Sequence, residues 1–122
     1  RGPDATAHLQ MGGLDFVHNL LSMTGEILPQ PIRDSRRGLA AVVNGEIYNA
    51  AELMGPGQLP RSDAEALLPA YGRLGGVQMF RAADGEWAVA IVDWPRRQLT
   101  LSRDCFGTKP LHLAEAGDGR FA

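Results

Sequence analysis

Cysteine is nearly absent from this 122-residue chain, which carries only Cys105. One thiol excludes an internal disulfide framework and any metal site built from several thiolates. An excess of charge of either sign is missing as well: 12 basic and 14 acidic residues leave a formal net charge of -2. That balance gives no electrostatic reason to expect nucleic acid or an anionic membrane as partner. The short basic runs, Arg33 with Arg36–Arg37 and then Arg96–Arg97, read as solvated loops. No apolar run approaches the roughly 20 residues needed to cross a bilayer. The opening Arg1-Gly2-Pro3-Asp4 is not followed by the hydrophobic stretch of a signal peptide. A cytoplasmic setting is therefore expected. The first residue is not methionine and Gly119-Arg120-Phe121-Ala122 ends abruptly after a strand-like stretch, so the chain is expected to be a segment of something longer.

What is present suits one globular unit. Hydrophobic residues make up 44% of the chain and charged residues 21%, and the length fits one domain better than two. Residues 1–37 are rich in Gly, Pro and polar residues around two apolar patches, Leu14 to Val17 and Leu20 to Met23, and read as loops around one or two short strands. Leu39-Ala40-Ala41-Val42-Val43 is too short for a helix and reads as a buried strand, ending at the turn dipeptide Asn44-Gly45. A short helix is expected from Asn49 to Met54, stopped by Gly55-Pro56-Gly57. Ser62-Asp63-Ala64-Glu65 has the form of a capping box. It opens a helix toward Tyr71 with Leu67, Leu68 and Tyr71 on its apolar stripe, Pro69 inside the pattern, and Gly72 to Gly76 at its end. Val77 to Ala82 is a further helical turn. Glu86 to Asp93 and Gln98 to Arg103, joined by Trp94-Pro95-Arg96-Arg97, form an antiparallel hairpin. Asp104 to Pro110 is a tight connection, and Leu111-His112-Leu113 a further strand. These elements predict an α+β fold built on antiparallel sheet.

Four collinear stretches carry a family resemblance. They are Arg1-Gly2-Pro3-Asp4, Val43-Asn44-Gly45-Glu46-Ile47-Tyr48-Asn49, Ser62-Asp63-Ala64-Glu65, and Arg103-Asp104-Cys105-Phe106-Gly107-Thr108-Lys109-Pro110-Leu111. Gln30-Pro31 and Trp87-Ala88-Val89-Ala90-Ile91 also sit where the family has similar residues. Together they resemble the class II glutamine amidotransferase domain, of the N-terminal-nucleophile type, found in the asparagine synthetase-like family. The resemblance covers essentially residues 1–122 as a single domain.

It implies a four-layer αββα fold, two stacked antiparallel sheets between helical layers, here lacking terminal strands. It also implies release of ammonia from glutamine, a small-molecule substrate, by an N-terminal cysteine whose own α-amine is the base. An α-amine has an unperturbed pKa of about 8, so it accepts a proton near neutral pH. Residue by residue, Asn44 and Gly45 resemble the oxyanion hole, and Glu46 and Asp63 the carboxylates that hold the amino end of glutamine. The Arg103–Pro110 stretch resembles a structural turn. No cofactor or metal is implied for this domain; ATP and magnesium belong to a C-terminal synthetase domain of the same longer chain.

Two departures bear on activity. The nucleophilic cysteine is not in the chain, and Cys105, being internal, reads as a semi-buried filler rather than a nucleophile. After His18, itself read as structural, the family places an arginine that grips the glutamine carboxylate, and the matching residue is Leu20. Arg33 is the nearby candidate to replace it. Two readings stay open: a glutaminase domain supplying ammonia for amide formation, or a vestigial structural domain. The latter occurs in proteins similar to β-lactam synthetases and lasso peptide cyclases. A stand-alone binding or scaffolding module is the third possibility.

Overall fold

Two antiparallel sheets and a helical layer emerge from this pattern in the computed structural model, which describes residues 2–21 and 26–122. Strand β1 (Ala5–Met11) pairs antiparallel with β2 (Leu14–Leu20). The two-residue Gly12-Gly13 turn has positive φ at both positions (57° and 84°), as a tight hairpin turn requires. Ala5, Ala7, Leu9 and Met11 share a face with Leu14, Phe16, His18 and Leu20, whereas Thr6, His8, Gln10, Val17 and Asn19 are exposed. The expected short strands are thus full seven-residue strands. The Leu20–Met23 patch runs on into residues outside the described ones.

The second sheet has the order β3-β4-β5-β6: Ile32–Asp34, Leu39–Ile47, Gly85–Asp93 and Gln98–Arg103, all antiparallel. One face carries Leu39, Ala41, Val43 and Ile47 of β4 beside Trp87, Val89 and Ile91 of β5. The helical elements cover this face. They are α1 (Ala50–Met54), a 3₁₀ turn (Asp63–Ala66), α2 (Leu67–Leu74) and α3 (Gly76–Ala82). Leu53, Leu67, Leu68, Tyr71 and Met79 supply the apolar contacts. Burying each large side chain stabilises by roughly 1.5–3 kcal/mol, which fixes the helical layer on the sheet. On the opposite face Ala40, Ala88 and Val92 are also buried. The β1–β2 hairpin approaches the sheet through His18, bonded to Val43, and through Gly12, beside the Trp94 ring. The fold is therefore α+β, two antiparallel sheets flanked by helical elements, consistent with the αββα arrangement. No helix among the described residues is long and apolar enough to cross a membrane.

Four local expectations need correction. Asn44-Gly45 is not a turn: β4 continues to Ile47, and Gly45 pairs with Trp87. Gly45 has φ 147°, and a Cβ there would lie 2.7 Å from Trp87 Cα and closer still to the Glu86 carbonyl oxygen. The glycine serves a close approach of two strands. The capping box does not form, because Ser62 makes no side-chain cap. Glu65 instead takes the Arg61 N–H (2.8 Å) and guanidinium (2.7 Å), an ion pair that outcompetes a neutral cap. Leu111-His112-Leu113 is not a strand; His112 and Leu113 are exposed and pair with no strand among the described residues, and the last pairing is an isolated bridge, Glu115 with Phe121. Cys105 is exposed rather than semi-buried. Pro69 is accommodated in α2 as its third residue, in the first turn, where little is asked of its missing N–H.

Candidate active site

The free edge of β4 is where the designated residues gather. Along an antiparallel strand the main-chain N–H and C=O groups turn alternately to one neighbour and the other. Odd-numbered residues of β4 face the β3 side, but β3 extends only to a partner at Ala41. Beyond it, side chains take over the ladder. The buried Gln30 accepts the Val43 N–H through Oε1 at 2.6 Å, and His18 Nε2 lies 3.2 Å from the Val43 carbonyl, to which it donates. Asp63 Oδ2 accepts the Ile47 N–H at 2.8 Å. Gly45 stands between these two capped positions. Its N–H points to the same edge, and no side chain of a described residue caps it.

Burial lowers the pKa of His18, against the opposing pull of its bond to Val43, so the imidazole is neutral at pH 7. With Nε2 donating, Nδ1 is left buried without a partner among the described residues.

This edge opens into a cavity of about 930 Å³. Asn44, Gly45, Glu46 and Asp63 all line it, together with His18 and Leu20. Arg33 is exposed on β3 and is not among the lining residues, so the structure does not bring it to Leu20. Asp63 is partly committed to the scaffold, since one oxygen holds Ile47 and the other accepts the Ser62 hydroxyl at 3.2 Å. Glu46 makes no ion pair with any described residue. It faces Glu86 directly across the ladder, and Lys109 Nζ lies 2.7 Å from Glu86 Oε1.

Sequence reasoning did not single out Gln30, Glu26, Glu86 or Lys109 as site residues. Lys109 is positioned by Asp104, a buried carboxylate. It accepts the main-chain N–H groups of Trp87, Phe106, Thr108 and Lys109 and the Thr108 hydroxyl. Burial alone would raise its pKa, but these donors outweigh burial and hold it down at about 2. The turn read as structural is built on that one carboxylate. Cys105 lines a different cavity, of about 540 Å³, with Phe80, Trp87 and Phe106. Among the described residues no group of three or more His, Cys, Asp or Glu is placed to hold a metal ion.

A family profile described as the glutamine amidotransferase domain matches residues 1–122. The chain belongs to that family. Relatives of this amidotransferase domain point to the asparagine synthetase-like branch. A Methanocaldococcus jannaschii protein named for glutamine-hydrolysing asparagine synthetase is 34% identical over 110 residues, covering 86% of this chain and 20% of the relative. The glutamine-hydrolysing asparagine synthetase of Gallus gallus is 32% identical over 127 residues, covering 98% of this chain and 23% of the relative. A Penicillium rubens protein named as an amidase is 32% identical over 122 residues, covering 92% and 18%. The amidotransferase chain thus spans about a fifth of the length of the relatives it matches. It is a glutamine amidotransferase-type domain related to those of asparagine synthetase-like proteins.

Proposed function

We propose that this domain releases ammonia from the side-chain carboxamide of glutamine, for use in amide formation by a longer protein. The observation that carries the reading is the Gly45 N–H, capped by no side chain of a described residue, next to Asn44, both lining one cavity on an edge whose neighbouring groups are filled. In this reading a nucleophile attacks the carboxamide carbon, and the oxygen that gains negative charge accepts hydrogen bonds from Gly45 N–H and the Asn44 amide. One such donor is worth about 3 kcal/mol in the transition state. Ammonia leaves with the proton delivered to its nitrogen. Water then adds to the acyl carbon, the bond to the nucleophile breaks and the nucleophile regains its proton, so overall the C–N bond is exchanged for C–O with no redox change. Glu46, which forms no ion pair with a described residue, holds the ammonium of the substrate, and Asp63 supports it with whatever capacity Ile47 and Ser62 leave.

The nucleophile in this reading is a cysteine from outside residues 1–122, because Cys105 lines the other cavity. The ammonia passes to an ATP-dependent synthetase domain of the same longer chain, where ATP and magnesium belong, in the cytoplasm. The test is ammonia release from glutamine by the full-length protein with its natural N-terminus. Asn44→Ala should lower kcat by about a hundredfold or more. Equal release from that variant would sink the assignment of Asn44.

A second reading is favoured by two observations. Leu20 lines the cavity where a cation for the substrate carboxylate would be useful, and Asp63 is bonded to the strand it supports. In that reading the domain is a structural remnant in an ATP-dependent amide-forming enzyme of the β-lactam synthetase-like or lasso peptide cyclase-like kind. Absence of ammonia release, alongside ATP-dependent adenylation of a carboxylate, would select it.

A further inference from the structure

The charges around the Asn44–Gly45 cavity restrict what can occupy it. Four carboxylates line it, from Glu26, Glu46, Asp63 and Glu86. Lys109 is the one Lys or Arg among its described lining residues, and it is engaged by Glu86 at 2.7 Å. That hydrogen bond, acting before burial and the remaining charges, raises the pKa of Lys109, so the ammonium stays with Glu86. His18, neutral at pH 7, adds no compensating charge. The negative field reaches Tyr48, whose phenol is raised above its ordinary pKa first by Glu86, then by burial and by Glu46. On the β2 side the cavity is lined by Val17, Leu20 and the following Leu21, with the neutral side chains of His18 and Asn19 between them.

Glutamine brings three polar groups to such a site. Its carboxamide meets Asn44 and Gly45, and its ammonium meets Glu46. Its α-carboxylate enters a field of like charge with no free cation among the described lining residues, and Leu20 on the β2 side supplies none. A carboxylate taken out of water without a partner binds poorly. Masking it as an amide removes the charge and leaves the reacting carboxamide untouched.

We propose that the site takes glutamine whose α-carboxyl is already joined in an amide, such as the N-terminal residue of a peptide, in preference to free glutamine, with Leu20 setting that preference. This rests on reading the cavity as the amide-hydrolysing site, and it narrows the substrate class of that site. The bonds broken and formed at the side-chain carboxamide are the same for both substrates. The preference is one of binding.

The experiment uses the full-length protein with two probes, L-glutamine and L-glutamine α-methylamide, each followed by calorimetric titration and by ammonia release. The methylamide is chosen because hydrolysis at its α-amide would give methylamine rather than ammonia. Binding of the methylamide at least tenfold tighter than glutamine is expected. Leu20→Arg, which supplies a cation, should shift the ratio toward glutamine by at least tenfold, and Leu20→Lys serves as a second variant if the first does not fold. Glutamine binding as tightly as the methylamide, or neither probe binding, overturns the proposal. Preferential methylamide binding without ammonia from either probe upholds the preference and refutes amide hydrolysis. Ammonia from glutamine with glutamine preferred does the reverse.

Discussion

Gly45→Ala is the substitution whose cost follows most directly from the structure. The added methyl would point at β5, 2.7 Å from Trp87 Cα and 2.9 Å from the Glu86 carbonyl carbon, both of them backbone atoms that no rotamer change can move aside. The φ of 147° adds conformational strain for any L side chain, of about 1–3 kcal/mol. To relieve the overlap β4 must part from β5 near Asn44 and Glu46, weakening about two ladder hydrogen bonds worth roughly 1 kcal/mol each. The sum is about 3–5 kcal/mol, a large share of the roughly 5–15 kcal/mol that holds a domain together. Hydrogen–deuterium exchange of peptides covering Leu39–Ile47 and Gly85–Asp93 reads this locally, whatever the length of the chain around them. At about 1.4 kcal/mol per factor of ten, protection should fall between about a hundredfold and several thousandfold. Gly117→Ala is the control, since a Cβ there meets nothing within 4 Å. Exchange in Gly45→Ala within about threefold of the parent protein would refute the close-approach account.

Gln30→Leu removes the acceptor of the Val43 N–H while keeping the volume filled, leaving a buried donor unsatisfied. A loss of about 1–3 kcal/mol is expected in urea unfolding, and an unchanged midpoint would contradict it. Asp104 has a folded-state pKa of about 2, below its ordinary value of 3.8. Its contribution is therefore fully present above about pH 4 and is lost as pH falls toward 2. Asp104→Asn should lower stability at neutral pH and flatten the stability profile between pH 4 and 2; a profile parallel to that of the parent protein would argue against the five-donor arrangement.

The β5–β6 hairpin and the helices after Ser62 were legible because their apolar pattern matches the face they bury. Trp87, Val89 and Ile91 alternate, and Leu67, Leu68 and Tyr71 make one stripe. β1 was not legible, since its inward positions begin with Ala5 and Ala7, small residues of little strand propensity that make no apolar stripe. Asn44-Gly45 misled for a physical reason. The property that lets glycine turn a chain also lets two backbones approach closely, and only the position of β5 distinguishes the two. The pairing of Ser62 with Glu65 was correct as a pattern, but Arg61 offered Glu65 a charged partner one residue outside it. At the candidate site, Asn44, Gly45, Glu46 and Asp63 were named from a motif string, and all four line one cavity. Gln30, Glu86 and Lys109 act through contacts between residues distant in the chain, which no local spacing encodes.

A bare strand edge is usually a hazard, because its donors and acceptors repeat every second residue and invite another strand to copy the pattern. On β4 Gln30 and His18 occupy one repeat and Asp63 occupies the donor two repeats on. Successive repeats are about 7 Å apart, so the N–H left at Gly45 has no open neighbouring donor within reach of the same incoming backbone. A polymer needs a row of contacts and finds a gap, whereas a single oxygen atom needs only the one. On this edge the same three side chains deny a pairing strand its row of contacts and leave one N–H open.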